Sequence, residues 1–395
     1  MRIARRLEAI SPSATIGMKL KADELKAQGK DVLSFAVGEP DFPTPANIVE
    51  AAKRAMDEGQ TKYTAASGLP ELKQAICEAT RRDLGLEYTP AQVVASNGAK
   101  HSLFNIAQTL LQPGDEVIVL SPYWVTYPDQ IAFCEGRPVI IETRGEDDFR
   151  PHLDAIRAAV TDYTVAIMLN SPCNPSGAVY ERDVMEGIAE IAIEHDLTII
   201  SDEIYKHILF DGRTHLSPAQ LGDEVRARTL IVDGVAKSYS MPGWRIGWVL
   251  GPEPVVKAMG GLQGQMTSNP NTIAQWATVE ALTGPQETVA EMNEQFERRR
   301  DFVVEQMAQV DGITCATPRG AFYAFPNVSA HYDRLVPDAP AGAKSDAMAM
   351  KLLGENLISL VAGSSFGDDD YIRLSFAASM EQLEEGLRRF AAAFA

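Results

Sequence analysis

Cysteine is scarce and scattered. The four thiols, Cys77, Cys134, Cys173 and Cys315, include no Cys-x-x-Cys pair. That rules out a disulfide framework or a zinc-ligand spacing and suits a reducing cytosol. Six isolated histidines with no His-Glu-x-x-His argue against a metal site. Long apolar runs are missing, and none approaches the roughly 18 residues of a membrane span. Positive charge is in deficit: 36 Lys plus Arg against 54 Asp plus Glu give 36 − 54 = −18. So acidic a surface repels phosphate backbones and anionic lipid heads, which makes nucleic acid and membranes poor partners, while local basic pockets can still bind small anions. Arg2, Arg5 and Arg6 precede no apolar stretch, so no secretory signal is expected, and Glu8 argues against a transit peptide. The expectation is a cytoplasmic protein.

What is present is ample for a core. The 395 residues are 45% hydrophobic, which implies two or three domains or one large domain with a companion. From about residue 46, short apolar or β-branched runs alternate with longer amphipathic stretches. Seven strands are expected at 92–96, 117–120, 138–142, 165–169, 197–201, 229–232 and 246–250, most reading as buried on both faces. Helix patterns at 99–111, 181–194 and 254–266 lie between them. Strand alternating with helix predicts an α/β fold with a mostly parallel sheet. The last hundred residues differ: a charged helix over 286–310, short strands near 320–325 and 371–376, and a final helix over 380–394 predict a smaller α+β domain. The first 45 residues are expected to form an arm and part of that domain, leaving 46–285 as the large domain and 286–395 as the small one. The proline-rich stretch 336–343 reads as a surface loop.

Two tempting motifs fail. Gly363-Ser364-Ser365-Phe366-Gly367 fits the hydrolase elbow literally but runs into three aspartates and a strand instead of opening a helix. Gly260-Gly261-x-x-Gly264 lacks the spacing and the strand of a dinucleotide fingerprint. Four other segments carry chemistry. After the strand ending at Ser96, the turn Asn97-Gly98-Ala99 opens a helix near Lys100, and amides at such a start form an anion site, though strand–Gly–helix turns are common. In Ser171-Pro172-Cys173-Asn174-Pro175-Ser176-Gly177, two prolines hold Asn174 at a strand's carboxyl edge; the plain alternative is a turn. Ile199-Ile200-Ser201-Asp202-Glu203-Ile204-Tyr205 places an aspartate at the end of a buried run, where it needs a cation or hydrogen bonds, or else caps a helix. The sharpest is Lys237, flanked by small and apolar residues and followed eight residues on by Arg245. Burial disfavours a charged amine, and the neutral form makes Schiff bases with carbonyls, while a guanidinium suits phosphate.

In this order, these segments resemble the class I, fold-type I aminotransferases that depend on pyridoxal 5'-phosphate. The likeness runs from Val37-Gly38-Glu39-Pro40-Asp41-Phe42-Pro43-Thr44-Pro45 to Ile372-Arg373-Leu374-Ser375. Within the family the chain looks like the bacterial aspartate aminotransferase branch, on Lys62-Tyr63-Thr64, Ser121-Pro122-Tyr123-Trp124 and Ile273-Ala274-Gln275-Trp276-Ala277. The resemblance implies that Lys237 holds the cofactor as an internal aldimine and later shuttles the proton. Asp202 would pair with the pyridine nitrogen, Asn174 and Tyr205 would bond the phenolic oxygen, and Trp124 would stack on the ring. Gly98, Ala99, the Lys100 backbone and Arg245 would hold the phosphate. Tyr63 would reach the phosphate in a neighbouring subunit, implying a homodimer with shared active sites. Arg373 would clamp the substrate α-carboxylate with help from Asn174 and Gly38, Lys100 would read a distal carboxylate, and Thr15 would line the same end.

The implied reaction moves the amino group of L-aspartate to 2-oxoglutarate by a ping-pong mechanism. Prephenate or an aromatic amino acid is the alternative, because one lysine is not selective about what separates two carboxylates; a β-elimination lyase is less favoured. A ligand-sensing regulator on this scaffold would need an N-terminal DNA-binding domain, for which the near-neutral stretch before Ala46 leaves no room. Some relatives carry a phosphate-binding Ser or Thr three residues before the lysine, where this chain has Gly234. No role is assigned to 327–346.

Overall fold

The computed structural model describes residues 2–10 and 14–395. The central sheet has seven strands: β1 (Val93–Ser96), β2 (Glu116–Ser121), β3 (Arg137–Glu142), β4 (Thr164–Asn170), β5 (Thr198–Asp202), β6 (Thr229–Gly234) and β7 (Gly247–Leu250). Each expected strand is there, with ends shifted by at most two residues. The spatial order is β1-β7-β6-β5-β4-β2-β3, and β7 alone runs against the rest. Strands β2 and β6 are buried at every position, whereas edge strand β3 is partly or fully exposed at every position.

The two-residue period of each strand decides which helix it meets. Ile118, Ile167 and Ile199 face Val184, Ile188 and Ile191 of helix α2 (Arg182–Glu194). Their neighbours Val117, Val119, Met168 and Ile200 face Leu103 and Ile106 of helix α1 (Ala99–Leu110). Helices therefore cover both faces, as a parallel sheet requires.

The C-terminal part packs separately. Helix α3 (Glu287–Met307) and helix α4 (Met380–Phe394) enclose Phe296, Phe322, Tyr323, Phe376 and Phe390 beside a three-stranded antiparallel sheet of Tyr323–Ala324, Val361–Ala362 and Ile372–Ser375. Leu33–Ser34 pairs with Ile358–Ser359, which brings Phe35 into the same cluster. The strand expected over 320–325 shrinks to two residues because Ala321 takes a left-handed conformation (φ 58°). Residues 336–343 form a loop between Tyr332–Leu335 and Lys344–Asn356, as expected.

Candidate active site

Open α/β sheets bind ligands beyond the carboxyl ends of their strands, and here three of those ends converge. Asn170 closes β4, Asp202 closes β5 in register with it, and β6 runs through Asp233 and Gly234 towards Lys237. A cavity of about 520 Å³ opens there, within the range of small-molecule sites. Thr15, Gly38, Ala99, Lys100, Trp124, Asn174, Asp202, Tyr205, Lys237, Arg245 and Arg373 all line it. Gly98 stands just behind Arg245, and Tyr63, 90% exposed, lies outside the cavity of the single chain.

Asp202 is a buried carboxylate without a cation. Its Oδ2 accepts from the Tyr127 hydroxyl at 2.7 Å and its Oδ1 from the Ile204 amide at 3.3 Å, with no ion pair among the described residues. Burial pushes its pKa up to about 6, while the Tyr127 bond works in the opposite direction. Asn170 ties the wall together, donating from Nδ2 to the Asp202 carbonyl (3.0 Å) and accepting at Oδ1 from the Asn174 amide (2.8 Å).

Lys237 donates from Nζ to the Gly38 carbonyl at 2.5 Å and stands 5.8 Å from the Tyr205 and Phe322 ring centres. Burial lowers its pKa to about 8, with the Arg373 charge acting the same way. The Tyr205 hydroxyl meets that of Tyr323 at 2.8 Å. Arg373 is 2% exposed: its Nη1 donates to Asn174 Oδ1 (2.8 Å), its Nη2 to the Ala36 carbonyl (2.6 Å), and its Nε has no partner among the described residues. The Tyr323 and Phe366 rings flank the guanidinium at 4.6 and 4.8 Å. A buried guanidinium without a carboxylate among the described residues is a receptor awaiting an anion. Lys100 Nζ sits 4.8 Å over the Trp124 ring.

The anion corner is formed by backbone. Gly98 (φ 88°) precedes α1, and a Cβ there would lie 2.4 Å from Arg245 Nη2, so only glycine lets the guanidinium reach the helix start. Gly234 is explained likewise: a Cβ would stand 2.9 Å from the Ile246 carbonyl, leaving no space for a hydroxyl-bearing side chain.

Tyr127, Asn170 and Tyr323 were not singled out from the sequence. Asn170 carried a signal, a polar residue ending an apolar run. Tyr127 and Tyr323 carried none, since their partners lie 75 and 118 residues away. His207 Nε2 stands 3.2 Å from Asp83 Oδ2.

A pyridine cofactor with a phosphate fits these residues: Asp202 lacks a cation, the Gly98 cradle excludes a side chain, and a lysine amine of lowered pKa lines the same cavity. The comparisons agree. A family model described as aminotransferase class I and II matches residues 30–390. An aspartate aminotransferase of Geobacillus stearothermophilus is 44% identical, with 98% of each chain covered. An aspartate/prephenate aminotransferase of Thermus thermophilus is also 44% identical over 98% of each. Among solved structures, the Thermus thermophilus aspartate aminotransferase with maleate aligns at TM-score 0.92 and 44% identity over 100% of both chains. The Rhizobium meliloti aspartate aminotransferase aligns at TM-score 0.94 and 41% identity, covering 100% of this chain and 98% of that one. On sequence, fold and site together, the chain belongs to the class I and II aminotransferases, which depend on pyridoxal 5'-phosphate.

Proposed function

We propose that the protein transfers the amino group of L-aspartate to 2-oxoglutarate in a two-step ping-pong cycle. One observation carries the choice of a dicarboxylic donor: two cationic side chains, Arg373 and Lys100, face the cavity that holds Lys237. Maleate, bound by the Thermus neighbour, is itself a dicarboxylate. Arg373, aimed by Asn174 Oδ1, would take the α-carboxylate through its planar fork, and Lys100 the distal one.

Asp202 would hold the ring nitrogen of the cofactor, Asn174 and Tyr205 its phenolic oxygen, Trp124 its face, and Arg245 with the amides of Gly98, Ala99 and Lys100 its phosphate. Bound pyridoxal phosphate supplies the electron sink that lets the Cα–H bond ionise. Lys237 Nζ, its pKa lowered to about 8 so that about half is neutral at that pH, and positioned by the Gly38 carbonyl, would accept the Cα proton and return it. Gly38 and Thr15 border the substrate end.

The reading extends to a cytoplasmic homodimer with shared sites; the outward placement of Tyr63 supports the sharing. It divides the chain at about residues 45 and 285, in keeping with the separate C-terminal cluster that takes in Phe35. Prephenate is the second reading, favoured by the relatives named for both substrates.

The visible spectrum of the holoenzyme tests this. L-Aspartate alone should abolish the band of the pyridoxal form, and 2-oxoglutarate should restore it. A band that aspartate abolishes and that prephenate, itself a 2-oxo acid, restores in place of 2-oxoglutarate would move the assignment to the second reading.

A further inference from the structure

One helix start does two things on one face of the molecule. Where the helix Thr272–Thr283 begins, Asn271, Ile273 and Ala274 line a second cavity of about 820 Å³, which meets the catalytic cavity at Arg245. Thr272 and Gln275, three residues apart and so neighbours on the helix surface, bond instead to the loop that carries Tyr63. Thr272 Oγ1 donates to the Lys62 carbonyl at 2.8 Å and Gln275 Nε2 to Thr64 Oγ1 at 3.3 Å, so the residue on each side of Tyr63 is tied down. Gln275 is fully buried and also accepts at Oε1 from the Leu69 amide at 2.7 Å. Farther along the loop, Gln263 Nε2 donates to the Ala66 carbonyl (2.6 Å) and the Ala95 amide of β1 to the Ser67 carbonyl (2.9 Å).

Holding a loop at nearly every residue costs conformational entropy. Here the result is that the loop's one aromatic side chain, Tyr63, is fixed outward in solvent. A two-fold pair of chains uses the same patch on both copies. The patch around this helix start offers both parts of such a contact: a tyrosine held outward, and a cavity that ends at the guanidinium read above as a phosphate ligand.

We propose that Thr272 and Gln275 are positioning residues of the shared site, which present Tyr63 to the cofactor phosphate of a second copy of this chain. This rests on the role proposed above for Tyr63.

The test is the pyridoxal phosphate affinity of the cofactor-free protein, by equilibrium dialysis. Thr272→Val keeps the shape of the side chain, loses the bond to Lys62 and should weaken affinity at least about threefold. Thr272→Ser keeps the hydroxyl and should stay within about twofold of wild type. Thr64→Val removes the acceptor of Gln275 and should act like Thr272→Val, which it replaces if that variant yields no soluble protein. Added to Tyr63→Phe, either should cost little more, because the hydroxyl being placed is already gone; a general loosening would multiply the two losses.

Mixed dimers, isolated through two different tags and titrated by the visible band of the lysine-bound cofactor, locate the defect. With Thr272→Val in the chain that keeps Lys237 and Lys237→Ala in its partner, the one lysine-bearing site receives a well-held tyrosine and should bind as in wild type. With both substitutions in one chain, paired with a wild-type chain, that site receives the misplaced tyrosine and should show the full loss. The reverse pattern, no loss in either valine variant, or losses that multiply with Tyr63→Phe would overturn the inference. Tyr63→Phe in the same pairings separates the two levels. No dimer to isolate, or a Tyr63→Phe defect that stays within its own chain, defeats the shared site itself. A Tyr63→Phe defect that crosses to the partner, while Thr272→Val acts only within its own chain or not at all, defeats this inference alone.

Discussion

At the residue scale, the reactivity of Lys237 follows from its surroundings. Burial, and after it the charge of Arg373, brings the amine to a pKa of about 8. The nucleophile is the neutral amine, so its share grows as pH rises through 8 and levels off about one unit above. Capture of pyridoxal phosphate by the cofactor-free protein, followed by absorbance, should rise with that midpoint. Arg373→Gln removes a nearby positive charge and should move the midpoint upward; a midpoint that stays would take Arg373 out of the electrostatics of Lys237. Borohydride should fix the cofactor onto Lys237 in a peptide map, and Lys237→Ala should take up no label. Lys100→Ala should cost dicarboxylic substrates about ten- to a hundredfold in kcat/KM, the loss of one charge-assisted bond, and alanine or phenylalanine much less. Equal losses would remove Lys100 from specificity. These residues were legible because their types are unusual in context, an amine among small residues or an acid ending an apolar run. Tyr127 and Tyr323 were not, because a tyrosine among apolar residues reads as core until its hydroxyl partner is seen.

At the element scale, two glycines hold β7, α1 and Arg245 together. A Cβ at Gly247 would sit 2.2 Å from the Ala99 amide nitrogen, a backbone atom that cannot step aside. Gly247→Ala should force β7 from α1, lowering stability by about 1–3 kcal/mol, read by thermal unfolding of the cofactor-free protein. At Gly98 the obstacle is the tip of Arg245, a flexible side chain, and the left-handed backbone adds strain. Gly98→Ala should thus spare most of the stability and cut pyridoxal phosphate affinity at least about tenfold as the guanidinium is pushed from the helix start. Comparable losses of stability in both variants would contradict this separation. Strand length governs what could be read beforehand. Strands of four to seven residues buried on both faces show as continuous apolar runs, so the central sheet was predictable. Leu33–Ser34, Ile358–Ser359 and Val361–Ala362 are two-residue strands, too short to carry a period, and escaped notice.

At the scale of the whole molecule, a chain of net charge −18 gathers Arg373, Arg245, Lys100 and Lys237 around one cavity. Clustered cations in a concave site focus the field on anionic ligands despite the overall sign. Whether one chain completes that site is the remaining question, and Tyr63 decides it. The residue is 90% exposed, unusual for a side chain with so large an apolar body unless something covers it. If the partner subunit's Tyr63 bonds the cofactor phosphate, Tyr63→Phe should weaken cofactor affinity about tenfold or more, as loss of a charge-assisted bond. Mixed dimers make the test specific. In the proposed homodimer, Lys237→Ala would leave no working site and Tyr63→Phe would leave two weakened ones. Joined in one dimer, the subunit that keeps Lys237 would receive an intact Tyr63 from its partner, so one fully normal site per dimer should appear. Co-refolding equal amounts of the two variants would make half of the dimers mixed, so activity at limiting pyridoxal phosphate should rise to about a quarter of that of the wild type. If each chain instead supplies its own tyrosine, the surviving lysine stays with the Tyr63→Phe defect and mixing restores nothing, which would leave the site complete within a single subunit.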